Sequence, residues 1–155
     1  MKKTLIYLSL LLIGFSNSAI QAQNDCDVRN LKNELLRGLK PDFKYDSFKA
    51  TRFIYKNEVQ TIEIAAPLLK DQRFRFLLNT AGLPKDIEIK FYDKKQGSKN
   101  REELFTVKDT QDDGKNVYIF EPTVSKKIYL NYVIPRTTKQ NLGGCMVCVI
   151  GYKMN

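Results

Sequence analysis

The apolar residues of this 155-residue chain change their period once, at Pro41, and that change bounds what the chain can fold into. Before it, Val28, Leu31, Leu35 and Leu39 recur at three- and four-residue intervals and lay one apolar stripe along a helix predicted over Asp25–Lys40. Asn24 or Asp25 is placed to cap its start, and Pro41, unable to continue a helix, ends it. After Pro41, apolar and polar residues alternate with period two, as in strands with one buried face. The runs are Ser47–Tyr55, Val59–Ala66, Gln72–Asn79, Asp86–Tyr92, Glu103–Val107, Asn116–Glu121, Lys127–Ile134 and Cys145–Lys153. Turn residues separate them, among them Lys56-Asn57-Glu58, Ala81-Gly82-Leu83-Pro84 and the hairpin signal Asp112-Asp113-Gly114. About eight short strands at ~8–12-residue spacing predict a mainly β chain, an antiparallel sandwich or barrel behind one amphipathic N-terminal helix.

The first residues obey a different logic. Lys2 and Lys3 form a basic start, Leu5 to Phe15 an apolar stretch, and Ser16 to Gln23 a small and polar exit, the pattern of a signal peptide cleaved after Ala22, with Ser18 and Ala19 as alternative sites. The apolar stretch is about half the ~20 residues that span a bilayer, so a cleaved leader rather than a membrane anchor is expected. Gln23-Asn24-Asp25 ahead of Cys26 lacks the small and apolar residues that lipid modification of that cysteine needs. The expected organisation is a signal peptide over 1–22, a helix and connector over 23–45, and one β-sandwich domain over 46–155, with a periplasmic or secreted product.

Export decides how the charge is read. Removing Lys2 and Lys3 takes the formal charge from +9 to +7. Outside the cytosol the available anions are lipid headgroups, acidic glycans and acidic proteins rather than nucleic acid. The cations nearest to one another in loops are Lys94, Lys95, Lys99 and Arg101 in Asp93-Lys94-Lys95-Gln96-Gly97-Ser98-Lys99-Asn100-Arg101, and Arg136 with Lys139 before the last strand. They are the candidate partner surface, although cations spread along a chain in this way read first as a solvated surface. The first of these loops has no apolar residue to bury, so no apolar core forms there.

Export also decides how the cysteines are read. Cys145 and Cys148 have the C-x-x-C spacing of redox dithiols and of half a zinc site. On a strand, however, residues three apart stand ~10 Å from each other and point to opposite faces. A disulfide requires Cα atoms within ~7 Å, so the two cannot pair while the strand is intact. A redox C-x-x-C would open a helix, and zinc would need a second ligand pair, whereas the chain has no histidine and only one further cysteine. Met146, Cys148, Ile150 and Tyr152 make one face of the run, and Cys145, Val147 and Val149 an equally apolar opposite face. A strand apolar on both sides is covered on both sides, and the helix is the remaining amphipathic layer. Because that helix begins beside Cys26, a Cys26–Cys145 disulfide and a buried free thiol at Cys148 are expected.

The absence of histidine removes the commonest general base and the Ser-His and Cys-His nucleophile pairs, so no catalytic residue is assigned. Glu102 with Glu103, and Asp112 with Asp113, are adjacent acids of the kind glycosidases use, but they sit in polar loops and read as solvated turns. Asp109, Asp112 and Asp113 do not match the ligand spacing of a calcium loop, and neither a metal nor a cofactor is expected. Tyr92, Tyr118 and Tyr129 alternate with inward residues and are expected beneath the helix rather than on an exposed aromatic surface.

The succession Arg73-Phe74-Arg75-Phe76-Leu77-Leu78-Asn79-Thr80, Ile87-Glu88-Ile89-Lys90-Phe91-Tyr92, a charged loop, Val117-Tyr118-Ile119-Phe120, Lys127 to Pro135 and Cys145 to Lys153 resembles the pre-peptidase C-terminal domains over Ser47–Lys153. It is similar in layout to small uncharacterised exported proteins of Gram-negative bacteria. The resemblance implies a jelly-roll sandwich without catalysis, and no functional residue transfers from it. The expected function is binding of an envelope protein or glycan by an exported, non-enzymatic sandwich. The alternatives are an accessory structural subunit of an envelope secretion or motility machine and, last, a carboxylate-dependent glycan hydrolase.

Overall fold

A computed structural model describes residues 26–83, 87–107, 115–123, 126–139 and 142–154. Residues 1–25, which include the expected signal peptide and the expected caps Asn24 and Asp25, and the acids Asp109, Asp112 and Asp113 lie outside them. Helix α1 spans Val28–Arg37. It starts later than the periodicity predicts, because Asp27 is its N-cap, its carboxylate accepting from the Asn30 amide at 3.0 Å. It also ends earlier, at Gly38 rather than at Pro41, with Arg37 in the last turn where the helix dipole favours a cation. Leu39 is beyond the helix but still buried in the same apolar cluster.

The strands are β1 (Lys44–Ile54), β2 (Gln60–Ala66), β3 (Gln72–Asn79), β4 (Glu88–Tyr92), β5 (Glu103–Val107), β6 (Val117–Phe120), β7 (Ile128–Ile134) and β8 (Gly143–Met154). β3 and β5 fall where the alternation places them. β1 begins ahead of Ser47 because a register shift between Tyr45 and Ser47 interrupts the pleat, which breaks the alternation without ending the strand. β8 begins at Gly143 because Gly143 and Gly144 pair with Ile54 and Phe53, a strand start that residues without side chains do not signal.

The strands form two four-stranded sheets, ordered β1-β8-β3-β6 and β2-β7-β4-β5, and every neighbouring pair is antiparallel. First pairs with last, second with seventh, third with sixth and fourth with fifth, which is the nested wrapping of a jelly-roll sandwich. Between the sheets lie Phe76, Phe91, Phe120 and Phe105, with ring centroids 5.3 Å apart for Phe76–Phe91, 4.8 Å for Phe91–Phe120 and 5.0 Å for Phe105–Phe120. Each such buried side chain contributes about 1.5–3 kcal/mol of burial free energy.

β8 is buried on both faces. Met146, Cys148 and Ile150 enter the inter-sheet core, while Val147 and Val149 join Leu35, Leu39, Phe43 and Leu77 beneath α1. The helix is also tied to the sheet by polar bonds: the Asn79 amide donates to Glu34 at 2.8 Å, and Arg75 donates to the Gly38 carbonyl at 2.9 Å. Cys26 and Cys145 form a disulfide with Cα atoms 5.9 Å apart. Cys148 is free and buried, and burial pushes its thiol up to about 12. The C-x-x-C pair is thus divided between two faces, as strand parity requires. Gly82 makes this packing possible, since a Cβ there would lie 2.7 Å from the Cys145 carbonyl oxygen and 2.8 Å from its sulfur.

The three tyrosines do not pack beneath the helix. Tyr118 belongs to the inter-sheet core, and Tyr92 pairs with Tyr129 across β4 and β7 in the second sheet, whereas α1 packs on the first. Period-two alternation tells which residues share a face but not which sheet carries the helix.

Candidate functional site

The six basic residues singled out in the sequence belong to two loops that leave opposite ends of β7's neighbourhood. Tyr92, where the loop 93–101 departs, pairs with Tyr129, while Arg136 follows Ile134 at the other end of β7. Five residues of strand between those points correspond to ~17 Å.

The loop 93–101 is not wholly a solvated excursion, because Asp93, Lys94 and Arg101 find partners within the fold. Arg101 reaches the sheet, where its guanidinium lies 2.9 Å from the Glu63 carboxylate, donates to the Asn131 side-chain oxygen and also donates to the Lys94 carbonyl at 2.9 Å. Its planar group lies 3.5 Å from the centroid of the Tyr92 ring. Asn131 is 1% exposed and donates in turn to Glu63 at 3.0 Å. The Gln96 amide donates to the same carboxylate at 2.9 Å. Lys94 donates to the Asn100 carbonyl at 2.6 Å and lies 3.7 Å from Asp93. The Glu102 amide, donating to Asp93 at 2.8 Å, and then Lys126 and Lys94 hold the Asp93 carboxyl below the usual carboxylate range. Burial of these polar groups is tolerated because each has a partner. Of the four cations, Lys94 and Arg101 are engaged inside the molecule, whereas Lys95 and Lys99 are exposed. Glu102 and Glu103 are exposed as expected of solvated acids, Glu103 lying 3.9 Å from Lys90.

Arg136 and Lys139 have a different setting. Two backbone bonds fasten their segment to the β1–β2 turn: the Thr137 amide donates to the Lys56 carbonyl at 2.9 Å, and the Tyr55 amide donates to the Leu142 carbonyl at 2.8 Å. The Lys139 amide donates to the Thr137 hydroxyl at 3.1 Å, which tightens the segment locally. A shallow groove of about 460 Å³ opens between Asn57, Arg136, Thr137 and Thr138. It adjoins a second of about 310 Å³, bounded by Tyr55, Lys56, Asn57, Thr137, Thr138 and Lys139. Among the described residues none of Lys56, Arg136 and Lys139 forms an ion pair. Three cations, two threonine hydroxyls and one carboxamide therefore border a surface to which an anion can bring the missing charge. Glu58 in the same turn is exposed and is the one acid within that turn.

The sequence pointed to Arg136 and Lys139 but not to Lys56, Asn57, Thr137 and Thr138, which join them only when the β1–β2 turn and the segment after β7 meet. It also gave no sign of Glu63 and Asn131 as partners of Arg101. Among the described residues no group of three His, Cys, Asp or Glu side chains is placed to hold a metal ion. Among them, too, no helix is long and apolar enough to cross a membrane. Comparison with known proteins found no family model and no curated protein that matches the sequence.

Proposed function

We propose that this protein is an exported, non-enzymatic β-sandwich that binds an anionic component of the cell envelope, a protein or a glycan, at the groove between the β1–β2 turn and residues 135–139. One observation carries the reading: Lys56, Arg136 and Lys139 border two adjoining grooves that share Asn57, Thr137 and Thr138, and lack carboxylate partners among the described residues, although Lys94 and Arg101 of the other basic loop are paired internally. Export is supported by the leader-like start and by the Cys26–Cys145 disulfide, a bond that persists in oxidising compartments. The test is binding of the purified protein to a sulfated glycan resin and to acidic envelope proteins, with the triple variant Lys56→Ala, Arg136→Ala, Lys139→Ala beside it. Binding that falls with the triple variant supports the groove, and equal retention of both proteins refutes it.

A second reading, an accessory structural subunit of an envelope machine, has its own observation. Lys95 and Lys99 leave a further exposed cationic surface away from the groove, so the protein presents two docking regions. A stoichiometric complex from envelope extracts that requires both Lys95 and Lys99 as well as Arg136 would favour it.

A further inference from the structure

The β1–β2 turn that supplies Lys56 to the groove is flanked by two of the most exposed large apolar side chains of the molecule. Ile54, the last residue of β1, is 67% exposed, and Val59, just before β2, is 63% exposed. They stay near each other, because the Gln60 carboxamide at the start of β2 donates to the Ile54 carbonyl at 3.1 Å. A soluble anion alone gives no reason to leave two branched apolar residues in water beside the cations that hold it. A bilayer surface does: cations meet headgroup phosphates, and adjoining apolar side chains enter the acyl boundary. Charge complementarity selects among bilayers, since Lys56, Arg136 and Lys139 outnumber Glu58 around the turn.

We infer that this end of the sandwich seats the protein on an anionic lipid surface, with Lys56, Arg136 and Lys139 on the headgroups and Ile54 and Val59 inserted between them. The inference rests on the anion-binding reading of the groove and goes beyond the protein or glycan named there, adding a lipid headgroup fixed in a membrane as the anion. Either element alone would hold the protein weakly, and stable attachment needs the two together.

The test is co-sedimentation of the purified protein with vesicles of phosphatidylcholine alone and of phosphatidylcholine mixed with an equal amount of phosphatidylglycerol, alongside binding of soluble dextran sulfate. The protein should sediment with the mixed vesicles and stay in solution with phosphatidylcholine. Ile54→Ser with Val59→Ser should weaken vesicle binding on the order of tenfold and leave dextran sulfate binding unchanged. Replacing Lys56, Arg136 and Lys139 by Ala should weaken both, vesicle binding by roughly one hundredfold. Circular dichroism confirms that each variant keeps the β fold. Dextran sulfate binding without vesicle binding, or vesicle binding indifferent to Ile54 and Val59, overturns the inference and leaves the anion site standing. Failure to bind either probe overturns the anion site itself.

Discussion

Both basic loops connect strands and both carry lysine and arginine, yet one engages two of its four cations within the fold and the other leaves both of its cations without an ion pair among the described residues. In the loop 93–101, Arg101 meets Glu63, Asn131 and Tyr92, and Lys94 and Lys126 meet Asp93. In the segment 135–139 the anchors are backbone bonds to Lys56 and, from Leu142, to Tyr55, with Arg136 and Lys139 free of ion pairs among the described residues. A cation that fastens its loop through its side chain, as Arg101 does, has spent its charge on stability, whereas cations in a segment fastened through its backbone keep theirs for a partner. A covalent anchor acts elsewhere, where Cys145 in the first part of β8 is bridged to Cys26 ahead of α1 across a separation of 119 residues.

The contrast can be broken, and the largest effect belongs to the covalent anchor. Replacing Cys26 and Cys145 together by Ser should lower stability to urea by about 4 kcal/mol, through the restored entropy of the unfolded chain. That loss should be the same at low and high salt, and a marked salt dependence would mean that ionic contacts help to join the helix to the sheet as well. Next in size is Arg101→Ala, which removes the ion pair of half-buried Glu63 and leaves the buried Asn131 oxygen without its donor, and should cost about 2–3 kcal/mol. Arg136→Ala should change stability by no more than ~0.5 kcal/mol, as for a surface residue without partners. Equal losses from the two arginines would erase the distinction between the loops.

The Cys148 thiol offers an independent readout of the same pair, because it is buried between the sheets and reacts only when the molecule opens. Labelling should quicken in Arg101→Ala and keep the parent rate in Arg136→Ala. The smallest effect is with acid. The Asp93 carboxyl titrates lower in the folded protein than in the unfolded chain, so its contribution is complete above the unfolded value of ~3.9 and is lost as pH falls through the depressed folded value. Hydrogen exchange at the Glu102 amide, which donates to Asp93, should therefore rise below about pH 4, while the Thr137 amide, bonded to a backbone carbonyl, should show no such step. A matching step at Thr137 would indicate global acid unfolding rather than release of one loop.

Much of this molecule is legible in its residues because it depends on local rules. Gln72–Asn79 and Glu103–Val107 are strands where the period changes to two, and strand parity separates Cys145 from Cys148 without reference to any other part of the chain. Helix ends were less legible: Asp27 and Gly38 cap α1, and several residues nearby have the same capping chemistry. The tyrosines show a further limit. Tyr92 and Tyr129 alternate with inward residues as expected but lie on the sheet away from the helix, whereas Tyr118 shares its face with Phe120 and packs on the inter-sheet core, because alternation records a face and not which face is covered by what.

Composition and period by themselves determined a β-sandwich behind one helix, a disulfide between its first and last elements, and a chain without histidine chemistry. These are short-range or parity properties, and each can be read without knowing which strand lies beside which. The tertiary structure alone decided which basic residues remain available. Arg101 and Glu63 are 38 positions apart and meet because β2 and β4 both flank β7, while Lys56 and Arg136 are brought together by the meeting of a turn and a loop. Electrostatic pairing falls off over a few ångströms in space and does not follow distance along the chain, so equal stretches of lysine and arginine acquire opposite roles only once the sheets have closed.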